Sequence, residues 1–345
     1  MTEPFLTIVS NPQNWPDIVL PVFTQTLTCS FATLTRQGRP VTNTLIPYMS
    51  DDEKTIDVST GLTSPTKAER ARNNPKVALL FADNVTGQDF APVVLVYGQA
   101  TVRDADLQAN TDRYVRLSLA KTHAAFSGVP TFLLPLFSWY FARIWIQITP
   151  LRILWWPARN TERPPQIWEA PANLEAPPSD PGPQHHIAGG APTPTEWRPA
   201  ALHALQALRS PVLTTVNSQG FPSPIQVKNA VLSQEGFRLD VPAGMPALNE
   251  GPACLTFHTH PRKFYGQENK SFVGYVSSNN EREAIFTIER LLPDWSFPGS
   301  RVEATLHFLN SGRFLAPRLQ EEARLRRQPV PKVRLQHTKA SKGIP

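Results

Sequence analysis

The sequence predicts a mainly β protein with α additions, arranged as two small β-barrels in tandem. Short apolar runs bounded by turn residues recur along the chain, as the strands of a barrel do. The order of these runs after residue 195 repeats the order before residue 157, which marks an internal duplication. At 345 residues the chain also exceeds what one hydrophobic core organises, so two domains are expected.

In the first half, Ser30 to Thr35 (SFATLT) is a β-branched and apolar run closed by the turn pair Gln37-Gly38. Strands follow at Val41 to Tyr48 (VTNTLIPY) and, after a turn at Ser50 to Glu53, at Thr55 to Thr60 (TIDVST), which alternates with period two. A short helix is expected over Pro65 to Asn74, then strands at Val77 to Ala82 (VALLFA) and Val93 to Val102. A longer helix near Asp104 to Lys121 and a strand over Ala142 to Trp156 close the unit. The second half repeats this grammar. PVLTTV (211–216) and its Ser218-Gln219-Gly220 turn, Phe221 to Val227, FRLDV (237–241), CLTFH (254–258), SFVGYV (271–276) and AIFTIE (284–289) follow in matching order.

Between the halves, residues 157–195 are rich in Pro, Ala, Gly and Asp with little apolar periodicity. Such a stretch cannot bury enough apolar surface to offset its ordering entropy, and proline stiffens it, so a linker or surface strap is expected. The expected organisation is a first barrel at 1–156, the proline-rich linker at 157–195, a divergent second barrel at 196–312 and a basic tail at 313–345. The tail reads as a short amphipathic helix to Arg327 followed by a disordered end.

Composition bounds the function. Apolar residues make up 41% and charged residues 18%, ordinary for a folded soluble protein. The net charge of +6 favours anionic partners, but much of the excess lies in the tail, so no nucleic-acid partner is expected. Two cysteines, Cys29 and Cys254, do not make a disulfide framework, no spacing suggests a metal site, and a reducing cytoplasm is expected. The N-terminal residues lack a basic and an apolar region of the secretory kind. Ala124 to Ala142 carries no charge, but Gly128, Pro130 and Pro135 interrupt it, so a buried loop and strand are expected and no membrane partner.

The stretch carrying chemistry is Ser59 to Leu80, STGLTSPTKAERARNNPKVALL. Thr63 or Ser64 can cap a helix beginning at Pro65, and a helix N-terminus is an anion cradle. Lys67 lies in the first turn, where the dipole ordinarily favours an acid, and Ser64 and Thr66 offer hydroxyls. A cation set against the dipole points to a bound anion, or else to a capped surface helix with a solvated lysine.

The series Gly38-Arg39-Pro40, Thr42-Asn43-Thr44, Val58-Ser59-Thr60, Lys67 and Asn74-Pro75-Lys76-Val77-Ala78-Leu79 resembles the pyridoxamine 5'-phosphate oxidase-like FMN-binding split-barrel superfamily, with its flavin and deazaflavin (F420) branches. The resemblance covers roughly residues 20–156, and the second half shares the barrel only in outline. It implies a cofactor phosphate at Lys67, Ser64 and Thr66, with Arg70 as a further contact and Arg72 as another. It implies that the isoalloxazine ring lies along Thr42, Asn43 and Thr44 and along Ser59 and Thr60, whose hydrogen bonds tune the cofactor's electronics. The loop from Thr60 to Lys67 is a residue longer than in some members. The implied cofactor is FMN, with F420 or haem as alternatives. The implied function is an oxidoreductase transferring hydride to or from a small-molecule substrate, or else a non-catalytic flavin, F420 or haem carrier. Members place the cofactor between two barrels of a homodimer, so the tandem barrels imply a homodimer or an intramolecular pseudo-dimer.

In the second half the matching loop, Pro242 to Pro252, has no Lys or Arg and carries Met245, Asn249 and Glu250, so one phosphate site per chain is expected. His258 and His260 share a strand side and read as polar surface; His185-His186 lies in the linker. No triad or carboxylate pair supports hydrolysis.

Overall fold

A computed structural model describes residues 13–82, 91–121, 137–183, 196–260, 266–280, 282–293, 296 and 300–334. The chain folds into two curled, largely antiparallel sheets. After helix α1 (Leu20–Gln25), the first sheet takes strands β1 (Cys29–Leu34), β2 (Pro40–Leu45), β3 (Tyr48–Met49) and β4 (Ile56–Gly61). Helix α2 (Thr66–Asn73) precedes β5 (Lys76–Phe81) and β6 (Val93–Arg103). Helices α3 (Leu107–Lys121) and α4 (Ser138–Phe141) lead to β7 (Arg143–Trp156) and β8 (Gln166–Glu169). The second half opens with helix α5 (Arg198–Ala207) and continues through β9 (Arg209–Val216), β10 (Pro222–Gln226), β11 (Asn229–Leu232) and β12 (Gly236–Asp240). Strands β13 (Gly251–Thr259), β14 (Glu268–Asn280) and β15 (Glu283–Leu291) complete the sheet, and helix α6 (Arg301–Leu325) follows.

The two sheets have one topology. The first runs β2-β1-β5-β6-β7-β4-β3, with β8 on β7, and the second runs β10-β9-β13-β14-β15-β12-β11. The likeness extends to single glycines. Gly38 and Gly220 hold the β1–β2 and β9–β10 turns at φ of 73° and 78°, where a side chain is strained. Gly98 and Gly274 sit at matching register shifts between β6 and β7 and between β14 and β15. A Cβ there would lie 2.6 Å from the Thr149 carbonyl oxygen and 1.9 Å from that of Thr287, so both strands need glycine.

The first sheet is apolar on both faces, and the packing explains why. On β5, Val77, Leu79 and Phe81 enter the first barrel's own core, while Ala78 and Leu80 join a core shared with the second barrel. On β6, Val94 and Val96 face inward, and Val93, Leu95 and Tyr97 face the second barrel. Runs such as VALLF therefore lack polar alternation because neither face meets water. The polar groups caught between the barrels pair across the junction: Thr42 Oγ1 with Thr214 Oγ1 at 2.5 Å, and Tyr97 Oη with Ser223 Oγ at 2.7 Å. Lys76 Nζ donates to the Gln219 carbonyl at 2.7 Å, and Arg39 pairs with Glu289.

Of the two alternatives for the proline-rich segment, linker or strap, the described part takes the strap: β8 pairs with β7, and residues 177–180 lie on the first barrel, with Thr101 Oγ1 donating to Pro177 O and the amides of Asp104 and Ala105 donating to Asp180. Two features depart from the sequence reading. Helix α6 is 25 residues long and runs across residue 312, where the tail was expected to begin. It returns to the first barrel, where Phe308 packs on Phe137, Trp139 and Tyr140. Past its end, Arg326 bonds Glu69, Asp104 and Glu322 at 3.1, 2.9 and 2.7 Å, and Gln328 and Lys332 bond α3 and its approach. The expected disordered end therefore lies packed to residue 334, because Gln328 and Lys332 bond the first barrel's helix and Val330 and Val333 pack on its core. Residues 335–345, and most of the uncharged stretch before α4, lie outside the described residues. No described helix is long and apolar enough to cross a membrane.

Candidate functional site

The approach to α2 is built by a tight turn. Ser64 N donates to Gly61 O at 2.8 Å, and the Thr60 hydroxyl donates to Ser64 O at 2.9 Å. Pro65 takes the N-cap position and no side chain caps the helix, contrary to the expectation that Thr63 or Ser64 would do so. The turn commits Thr60 to the Ser64 carbonyl, and the hydroxyl-bearing residues Thr63, Ser64 and Thr66 line a cavity instead.

That cavity, about 520 Å³, lies where the first barrel, the second barrel and α6 meet. Its size suits a small molecule or cofactor. Asn43, Thr44, Ser59, Thr60, Ser64, Thr66, Lys67 and Arg70 all line it. Thr42 does not; its hydroxyl is spent on Thr214 at the junction between barrels, and its carbonyl accepts from Thr256. The second barrel contributes His258, Thr259 and His260 from the end of β13, with Glu268, Asn269 and Ser271 from β14. The histidines were expected to be surface polarity. His258 is instead 5% exposed, because β13 runs on to Thr259 and carries it between the barrels.

Electrostatics give the cavity its character. Lys67, Arg70 and Arg143 line it, and among the described residues none of them has an acidic partner. The first residue of β7, Arg143, pairs in register with Gly61, and a Cβ on that glycine would lie 3.7 Å from Arg143 Nη1. Its guanidinium thus reaches the turn that leads into α2, resting over the Tyr114 ring at 3.9 Å and the Tyr140 ring at 4.6 Å. Burial, then the charges of Arg70 and Arg143, lower the Lys67 pKa to about 8. Burial also lowers Arg70, which donates to Thr33 Oγ1. The cavity's acid, Glu268, faces His203 at 3.0 Å and Lys270 at 3.4 Å. Crowded cations without acids carry an electrostatic cost that a bound anion would relieve.

Two polar atoms on the wall also lack partners. Asn43 Oδ1 and Thr44 Oγ1 are buried on the cavity wall with no hydrogen-bond partner. Such atoms cost free energy unless a ligand or water meets them. The sequence reading missed Arg143, Tyr114, Trp139, Tyr140 and Arg318, all on the wall. Arg143 could have been noticed as the first charge after an uncharged run; Arg318 carries no local signal.

The matching place in the second barrel is filled. The Gly244 amide donates to Thr161 O at 2.9 Å, and Trp156 Nε1 donates to Gly244 O at 3.0 Å. A Cβ at Gly244 would lie 1.8 Å from Arg163 O, so the segment after β7 sits directly on this loop.

Residues 17–150 match the family model described as pyridoxamine 5'-phosphate oxidase. The match falls on the first barrel, which is similar to that family. No curated protein matches the chain. Among solved structures, general stress protein 26 from Bacillus anthracis is 15% identical over 44% of this chain and 95% of its own, with a TM-score of 0.29. A pyridoxamine 5'-phosphate oxidase-related, FMN-binding protein from Nostoc punctiforme is 17% identical over 40% and 75%, at 0.27. An FAD-binding protein from Mesorhizobium loti is 17% identical over 38% and 86%, also at 0.27. Within the matched residues, α2 carries Lys67 and Arg70, and the cavity wall opposite comes from outside them.

Proposed function

We propose that the chain is a flavin-dependent oxidoreductase that holds one FMN, or in its place F420, between its own two barrels. The observation that carries this reading is the unbalanced cationic cluster of Lys67, Arg70 and Arg143 where the turn enters α2. In this reading those three residues neutralise the cofactor phosphate, and the hydroxyls of Ser64 and Thr66 donate to it. Asn43 and Thr44, with Ser59 and Thr60, meet the polar edge of the ring and hold it against the first barrel. The bound flavin would supply hydride transfer, which no side chain of the cavity can perform. His258 and its neighbours, with α6, close the other wall and keep water from the reacting face. The second barrel then takes the place that a second subunit would fill. Cys29 and Cys254 are both buried, and a reducing cytoplasmic setting is part of this reading.

The test is spectroscopic. Purified protein, as isolated and after titration with FMN or F420, is expected to show bound flavin or deazaflavin absorbance with a submillimolar dissociation constant. Reduction by NADPH and reoxidation by added acceptors then separate an oxidoreductase from a carrier. Failure to bind either cofactor, in a protein that is folded, sinks the proposal.

A further inference from the structure

Beyond the first barrel, α6 adds a cation to this cavity. Arg318 lines the wall, its Nε is buried without a hydrogen-bond partner, and among the described residues it forms no ion pair. It is the fourth such cation beside Lys67, Arg70 and Arg143, and the acid on the same wall, Glu268, already bonds His203 and pairs with Lys270. Side-chain entropy and mutual repulsion would turn a long arginine out to solvent on a helix with open space around it. Here the helix is held from both sides. Phe308 is fixed in the aromatic cluster of Phe137, Trp139 and Tyr140. Arg326, 3% exposed, grips Glu69, which lies on α2 between Lys67 and Arg70. Arg318 lies about two helical turns, or about 12 Å, before Arg326 along this path. Leu315, one turn earlier, also lines the cavity and fixes which face of α6 is presented.

We infer that Arg318 is a ligand for the anionic group that Lys67 binds, and that α6 is a clasp which this anion helps to hold shut. The inference rests on the proposed cofactor reading and adds to it a specific discrimination. A phosphorylated flavin gains a contact from α6, and an unphosphorylated one does not. The clasp is wired to the cradle through Arg326 and Glu69, so closing α6 and ordering α2 are one event.

FMN and riboflavin, which differ only in the phosphate, are the probes. With the full-length protein, Arg318→Gln is expected to weaken FMN about tenfold and to leave riboflavin within twofold of the wild type. Hydrogen exchange in α6 should slow on adding FMN to the wild type and change little in the variant. Equal losses for FMN and riboflavin would make Arg318 a packing residue and overturn the inference, as would unchanged FMN affinity. Arg318→Lys, which keeps the charge, is expected to retain more FMN affinity than Arg318→Gln; equal loss in both also counts against it. If the wild type binds neither flavin, the cofactor reading has failed. Inorganic pyrophosphate titrated into the same proteins then decides Arg318 separately: weaker binding by Arg318→Gln upholds its anion contact, and equal binding removes it.

Discussion

Replacing Lys67 by methionine removes one charge while keeping most of the stem that packs against the cavity wall. A charge-assisted contact to phosphate contributes about 1.5 to 3 kcal/mol, so FMN affinity at pH 7 should fall roughly ten- to more than hundredfold. The environment of Lys67 adds a sharper signature. Its pKa of about 8, lowered by burial and by Arg70 and Arg143, leaves it mostly charged at pH 7 and mostly neutral at pH 9. Wild-type affinity should therefore drop as pH rises through about 8, toward that of the variant, whose own affinity stays flat across the window. Phosphate binding favours the charged lysine, so calorimetry near pH 8 should show proton uptake in the wild type and none from this site in the variant. The stability sign is opposite. A lysine whose folded pKa lies below its ordinary 10.5 costs stability while charged, and this cost fades as pH climbs from about 8 toward 10.5. Ligand-free Lys67→Met should thus melt no lower than the wild type at pH 7. Fluorescence titration of FMN at several pH values is the assay. An unchanged FMN affinity, or a pH dependence shared by both proteins, refutes the placement of the phosphate at Lys67.

Native mass spectrometry of FMN-saturated protein should give one cofactor per chain, because the second barrel's loop is occupied by the segment from Trp156 to Arg163; two tightly held FMN molecules would contradict this. Arg326→Ala leaves Glu69, Asp104 and Glu322 without their shared guanidinium, so thermal melts should show a loss of about 3 to 5 kcal/mol, together with faster hydrogen exchange in α6. Gly274→Ala drives a Cβ against the Thr287 carbonyl and should unfold the second barrel or cost it several kcal/mol. Gly38→Ala meets only the strain of positive φ, about 1 to 2 kcal/mol, so denaturation midpoints of the two variants should separate clearly.

Much of the fold was written in local pattern. Strand runs such as CSFATL and KVALLF, the turn glycines Gly38 and Gly220, and the short helix bearing Lys67 are fixed by neighbours a few residues away, where steric preference and apolar periodicity act directly. The repetition of those runs was enough to give the duplication, and the two sheets share one strand order. Tertiary structure decided what depends on contacts between distant residues. Thr42 read as a cofactor contact, yet its hydroxyl meets Thr214, 172 residues away. His258 read as polar surface because no local signal shows that β13 passes between two barrels. The proline-rich segment read as a linker or a strap, and the contacts of Asp180 with Arg103 and the Asp104 amide decided for the strap. Arg143 and Arg318 reached the cavity from the start of β7 and from α6, since charge converges on a site by chain folding and not by spacing in sequence. Ser64, Thr66 and Lys67 could be grouped from sequence because they are nearly consecutive, and they line one cavity. Arg143, Arg318 and the opposite wall could not, because only packing brings them to that cavity.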